Sequence, residues 1–284
     1  MARTPFERDQ GNERSGSIVD NTTYETTLGG PIVRDRLWFF YANRHEDVSE
    51  DETFDETGIA FERTLENRRN QLKLTGTIAP GHLLEGNYMR NSTAQGRPSF
   101  GFSIDPAALI ERTIPNDLWV ATYRGAVTSS LFIEGQVSRK QFGFRGSGGT
   151  STDILDSPFI TLAQALGHYN APYFDAADPE DRNNRQVTAS ATYFLPTGMG
   201  SHSIKGGFEQ FRSTETGGNS QTATGFVFDA DYAVGVDGAP LLDTGGRLVP
   251  VFAPGASLIE TWLPVLGPRL ISPRYRSTST TTGW

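Results

Sequence analysis

The sequence predicts an all-β fold: a partial, antiparallel transmembrane β-barrel wall supplying about eight or nine strands of a larger barrel of about 22 strands. Three observations predict it. Strand-like runs alternate apolar and polar residues with period two. Very short turns take turns with long polar segments along the chain, as they do where one side of a barrel faces the periplasm and the other the outside. And the composition, with 31 glycines, 18 phenylalanines and 9 tyrosines among 284 residues, is rich in small and aromatic residues while only 36% of the chain is hydrophobic. No window approaches the eighteen consecutive apolar residues of a membrane helix, whereas barrel strands leave no such trace.

The first element ends near Gly30 in a Gly29-Gly30-Pro31 turn with a charged Arg34-Asp35-Arg36 corner, which runs into the large residues Leu37, Trp38, Phe39, Phe40 and Tyr41. Rings on both faces of a strand fit the aromatic girdle at a membrane interface. Further strands are expected at 36–47, about 66–78, 83–91, 117–127, 131–143, 185–195 and 201–214, with a ninth at 225–234 or at the extreme C-terminus. Within them Leu72 and Leu74 oppose Lys73, Trp119 and Tyr123 oppose Arg124, Ile133 and Val137 oppose Glu134, Val187 and Tyr193 oppose Thr188, and Ile204 and Phe208 oppose Lys205. The strand 83–91 is less clean, because Leu83 and Met89 share a face with Glu85 and Asn87. A Lys or Arg facing lipid costs about 2–4 kcal/mol at the midplane and little in a wet lumen, which gives the split its physical motive. Short turns are expected at Ala79-Pro80-Gly81-His82, Thr128-Ser129-Ser130 and Pro196-Thr197-Gly198-Met199-Gly200, and long polar segments at 92–116, 144–184 and 216–275.

Other chemistry has little support. The absence of cysteine removes disulfides, thiol nucleophiles and zinc-thiolate sites, and a net charge of -8 without a basic stripe argues against nucleic acid. The acidic run Glu46 to Glu56 reads as a hydrated loop at the membrane surface, with Ca²⁺ binding as the alternative. His45, His82, His168 and His202 show no ligand spacing, so no metal and no cofactor is expected. Gly146-Ser147-Gly148-Gly149 lacks the strand-to-helix context of a phosphate cradle, no G-x-S-x-G occurs, and Asp178 with Glu180 lies in a loop, so no enzyme is expected. The loop aromatics Phe100, Phe102, Tyr169, Tyr173 and Phe174 are read as loop packing, with a ligand-stacking surface as the sharper alternative.

The run Gly29, Gly30, Pro31, Ile32, Val33, Arg34, Asp35, Arg36, Leu37, Trp38, Phe39, Phe40 resembles the start of the barrel in TonB-dependent outer-membrane receptors. The resemblance is to the Oar-like branch, whose members often carry a carboxypeptidase-regulatory-like domain in front of the plug. It implies that residues 1–27 are the end of the plug or the plug-to-barrel junction and 28–284 the N-terminal part of the barrel. It also implies a bacterial outer-membrane location, contact with outer-membrane lipid, and energy-coupled uptake of a large, scarce extracellular ligand such as a siderophore, oligosaccharide or peptide. The inner-membrane TonB complex would be the partner of the intact protein, although no TonB box is present in this chain. Against family members the sequence reads as a fragment, and Trp284 as an end inside a strand, since Thr282, Thr280, Thr278 and Arg276 are not apolar. Two rival expectations come from other classes: a complete eight-stranded barrel with a structural or adhesion role, and a soluble β-sandwich binding module.

Overall fold

A computed structural model of the chain describes residues 16–99, 103–109, 111–146, 151–160, 170, 180–198, 200–219, 223–261, 265–266 and 270–283. Nine long strands make one antiparallel sheet: β1 (Gly16–Val33), β2 (Leu37–Thr53), β3 (Ala60–Ala79), β4 (His82–Gly96), β5 (Arg112–Thr128), β6 (Leu131–Phe144), β7 (Glu180–Thr197), β8 (Gly200–Thr216) and β9 (Leu270–Gly283). Each pairs with its neighbour in chain order, and among the described residues β1 and β9 are the two free edges. A pure meander with a two-faced pattern is the topology expected of a barrel wall.

The register fixes the faces. Leu74 lies opposite Phe39 and Gly86, and Leu72 opposite Tyr41 and Tyr88. Tyr88 in turn faces Trp119, Val137 faces both Ala121 and Val187, and Phe208 faces Ala189. The other face carries Lys73 opposite Asn87, Arg124 opposite Glu134, Gln136 opposite Thr188, and Thr192 opposite Lys205. The ambiguity of β4 resolves: Leu83, Glu85, Asn87 and Met89 do share the polar face, while Leu84, Gly86 and Tyr88 lie on the apolar one.

Among the described residues no second layer covers the apolar face. Leu72, Leu74, Leu84, Tyr88, Trp119, Val137 and Phe208 are all exposed, and among the described residues the buried apolar side chains are Phe54, Phe61, Ile104, Ala108, Phe159, Val227, Ala230 and Leu248, which lie in the loops or at a loop-proximal strand end. A soluble sandwich would bury that face between two sheets, so the β-sandwich expectation is overturned. The closed eight-stranded barrel is likewise not what the pairing gives, since nine strands form an open wall. The described residues contain no helix long and apolar enough to cross a membrane, which says nothing against crossing by strands.

The strands are longer than the sequence pattern predicts. β3 has 20 residues and β2 has 17; at about 3.4 Å per residue and a 45° tilt β2 rises roughly 41 Å, well past an apolar band of about 25 Å. The excess lies at the long-loop end, where β4 runs to Gly96 and β5 begins at Arg112. The acidic run is therefore mostly strand, a correction to its reading as a loop: Glu46 to Thr53 belong to β2 and pair along β3. The cause is charge compensation across the ladder. Arg63 bridges Glu50 and Glu52, its Nε 3.1 Å from Glu52, and Asn67 donates to Glu46 at 3.2 Å.

The Gly29-Gly30-Pro31 segment also differs from expectation. It sits inside β1, opposite Phe40, Phe39 and Trp38, and the turn is made by Arg34, Asp35 and Arg36 alone. Asp35 takes the left-handed conformation at φ 60° and Arg36 N–H closes the turn on the Val33 carbonyl at 3.1 Å. Pro31 is tolerated because β1 is an edge strand and need donate on one side only. The wall accordingly starts by Gly16, ahead of the expected start at 28. The C-terminal option for the ninth strand is the one realised, and 225–234 holds two short loop strands, Phe226–Asp229 and Asp231–Tyr232.

Candidate functional site

Two places gather side chains that could meet a ligand: the polar face of the wall and the packed loops above it. On the polar face a hollow of about 360 Å³ lies over β5 to β8, lined by Arg124, Glu134, Gln136, Thr188, Lys205 and Glu209. Glu134 sits between two cations, 3.5 Å from Arg124 Nε and 3.5 Å from Lys205 Nζ. Gln186 donates to Glu209 at 2.6 Å, and farther along the wall Lys73 pairs with Glu85 at 2.9 Å. Gly207 is part of the construction, because a Cβ there would stand 3.0 Å from the Ala189 carbonyl oxygen and 3.1 Å from Ser190 Cβ. Alternating acids, bases, amides and hydroxyls on a half-exposed face suit a water-filled lumen or a polar surface docked in it.

The residues of the family-like run line the short-turn end. Trp38 and Phe40 project on the polar face, opposite Thr75 and Lys73, and both are exposed; Phe39 and Tyr41 project on the apolar one. Gly29 makes room for the Phe40 ring, since a Cβ would lie 3.4 Å from Phe40 Cδ2 and 3.1 Å from the Phe39 carbonyl oxygen. Leu37 and Arg36 join this hairpin to the next, with Thr77 N–H donating to the Arg36 carbonyl at 2.7 Å.

At the opposite end, segments from four loops share one small core. Ile104, Phe159, Ala230 and Leu248 pack together, with Ile59, Phe228 and Tyr232 against them. Asp105 is fully buried and pins this cap: its carboxylate accepts from the backbone N–H of Ala107 at 2.7 Å and of Leu248 at 3.0 Å. Burial raises its pKa above the ordinary carboxylate value, while the backbone N–H donors from Leu248 and Ala107, the Asn170 side chain and the Arg247 charge pull it back down. Thr57 adds a hydrogen bond to the Ile104 carbonyl at 2.7 Å. On the cap, Phe228, Phe252, Pro254, Leu258 and Ile259 line an apolar hollow of about 340 Å³, where Phe228 and Phe252 meet edge to face at 5.2 Å. The expected loop aromatics Phe100, Phe102, Tyr169, Tyr173 and Phe174 lie outside the described residues, as do His168, Asp178, Met199, Trp284 and Ser147 to Gly149.

The histidines separate. His82 Nδ1 is 2.7 Å from the Tyr123 hydroxyl near a short turn, whereas His45 Nε2 lies 3.1 Å from both Asp47 and Glu66. That trio brings one nitrogen and two carboxylate oxygens within 4.8 Å of one another, a set able to hold a metal ion. The sequence reading, in which His45 shows no ligand spacing, misses this trio because Asp47 and Glu66 meet only through the β2–β3 register.

No family model matches this chain. No curated protein matches it either. Among solved structures, it is similar to the outer membrane transporter YddB from Escherichia coli, at 9% identity and a TM-score of 0.50, over 92% of this chain and 34% of that one. The fold is the wall of an antiparallel outer-membrane-type β-barrel. The chain spans about a third of the length of the transporter it matches.

Proposed function

We propose that this chain is part of the barrel of an outer-membrane transporter of the TonB-dependent kind, in the Oar-like branch, and that it is not an enzyme. The observation that carries this reading is the two-faced wall: from β1 to β8, seven successive strand pairings keep an uncovered apolar face on one side and a charged, hydrogen-bonded face on the other. The apolar face meets hydrocarbon in a bacterial outer membrane, and the polar face lines the passage. The loop cap with its apolar hollow would be the first contact for a large extracellular ligand, and the hollow around Glu134 a later one. The family-like run from Gly29 to Phe40 supports the finer assignment, in which residues near the N-terminus adjoin a plug and uptake is driven by the TonB complex in the intact protein.

The absence of cysteine makes the test clean. Single cysteines placed by Lys73→Cys and Leu74→Cys in bacteria carrying the protein should behave oppositely toward a water-soluble maleimide. Labelling of the first with protection of the second is expected; equal labelling of both would remove the membrane reading. Collapse of the proton gradient should then abolish uptake of whatever ligand the intact protein takes, and uptake that persists would remove the TonB assignment.

A further inference from the structure

The outward face carries a row of like charges where a simple alternation would place more apolar side chains. Arg139 on β6 lies directly opposite Arg185 on β7, which lies directly opposite Arg212 on β8. All three are exposed. Among the described residues none has a carboxylate within ion-pair distance, whereas other arginines on the same face are neutralised: Arg90 by Asp117 at 3.7 Å and Arg68 by Glu66. The next acid above Arg185 on that face, Asp181, is taken by Arg145. Like charges directly opposite one another in a sheet destabilise it, and neighbouring strands hold them about 5 Å apart. A row of three therefore calls for an anion that bridges them.

The height of the row says which anion. Immediately below it Val137 faces Val187, with Phe208 and Tyr193 farther down, and Trp119 stands opposite Arg139. From Leu131 to Arg139 the strand climbs about 19 Å at a 45° tilt, so guanidinium groups reaching upward from there end near the upper edge of a band of about 25 Å. Trp119 sits as an interfacial aromatic does, amphipathic and half in each phase. Guanidinium is also the side chain best matched to phosphate, through paired, parallel hydrogen bonds.

We propose that Arg139, Arg185 and Arg212 form a binding site for a phosphorylated lipid headgroup of the surrounding outer leaflet, with its acyl chains lying along Val137, Val187 and Phe208. This rests on the outer-membrane reading above. The site would anchor one lipid at a fixed height on the wall and set the depth at which β6, β7 and β8 sit.

The test compares lipid A with its dephosphorylated form, added to the full chain in phosphatidylcholine bilayers, with retained lipid counted by native mass spectrometry. The wild type should hold lipid A in preference, the preference should weaken as ionic strength rises, and inorganic phosphate should not compete at millimolar concentration. The triple variant Arg139→Gln, Arg185→Gln, Arg212→Gln should lose on the order of a hundredfold in affinity, since each charge near an anionic surface contributes about a fivefold factor. Arg90→Gln should change little, and the corresponding triple lysine variant should retain most of the preference. Equal retention of both lipids by the wild type, unchanged retention by an inserted glutamine variant, or displacement by inorganic phosphate would each overturn the site. Should the glutamine variant fail to insert, the wild type's discrimination and its salt dependence decide. Equal maleimide labelling of Lys73→Cys and Leu74→Cys in the same bilayers would sink the outer-membrane reading and the site with it; a chain that labels on the Lys73 side alone and still does not discriminate between the lipids sinks the site alone.

Discussion

Asp105 and Glu134 are both carboxylates bound by several partners, and their surroundings give them opposite weights. Asp105 is fully buried, and truncating it by Asp105→Ala leaves the N–H groups of Ala107 and Leu248 without their acceptor. An orphaned buried donor costs about 1–3 kcal/mol, so the variant should open the cap, read as faster proteolysis between residues 97 and 111 while the wall stays intact. The same carboxylate gives the cap a pH dependence. Its folded pKa is raised by burial, so the folded state holds the proton more tightly than the unfolded chain. The stabilisation is complete below the ordinary value of 3.8 and is lost as pH rises through the folded value. Hydrogen exchange in the cap should therefore indicate weakening protection across that window, after correction for the intrinsic exchange rate, and Asp105→Asn should flatten the slope. Glu134, by contrast, is 36% exposed and its two ion pairs are each 3.5 Å long. Screening keeps such pairs below about 1 kcal/mol, and Glu134→Gln should leave the melting temperature nearly unchanged.

At the scale of the strand, β3 tests the assignment of faces most sharply, because Lys73 and Leu74 are adjacent in the chain and lie on opposite faces of the sheet. Leu74→Arg places a charge on the uncovered apolar face near the middle of the band and should cost about 2–4 kcal/mol of folding stability in bilayers. Gln71→Arg, on the polar face opposite Ala42 and Met89, should cost far less. Denaturant titration of the reconstituted variants checks the difference, and equal costs would contradict the faces. This alternation was legible in the sequence because period two is a local signal: Leu72 with Leu74 against Lys73, or Val187 with Ala189 against Thr188, can be read from neighbours alone. The upper halves of β2 and β3 were not, because Glu46 to Thr53 resemble a solvated charge block until Arg63 and Asn67 are brought across from another strand. The cap and the His45 trio failed for the same reason at longer range. Ile104, Phe159, Ala230 and Leu248 have no periodicity, and only the folded loops bring them together.

For the molecule as a whole, the decisive feature is the pair of free edges. β1 offers 18 residues and β9 offers 14 whose outer backbone groups pair with no strand in this sheet. In hydrocarbon each unsatisfied peptide group costs several kcal/mol, and in water a long flat edge invites pairing with other chains. The β1 edge is poorly defended, since Tyr24, Leu28 and Ile32 on it are all exposed. The chain by itself should therefore not give a compact monomer on unheated gels, where a closed barrel runs faster than its boiled form. It should instead associate through β1 and β9, in detergent as ladders of oligomers. Placing prolines on β1 at Thr23 and Thr27 would blunt that edge, and the ladders should shorten toward dimers joined through β9. A fast-migrating, heat-modifiable monomer of the unaltered chain would mean that β1 and β9 meet and close the wall, contrary to an open sheet.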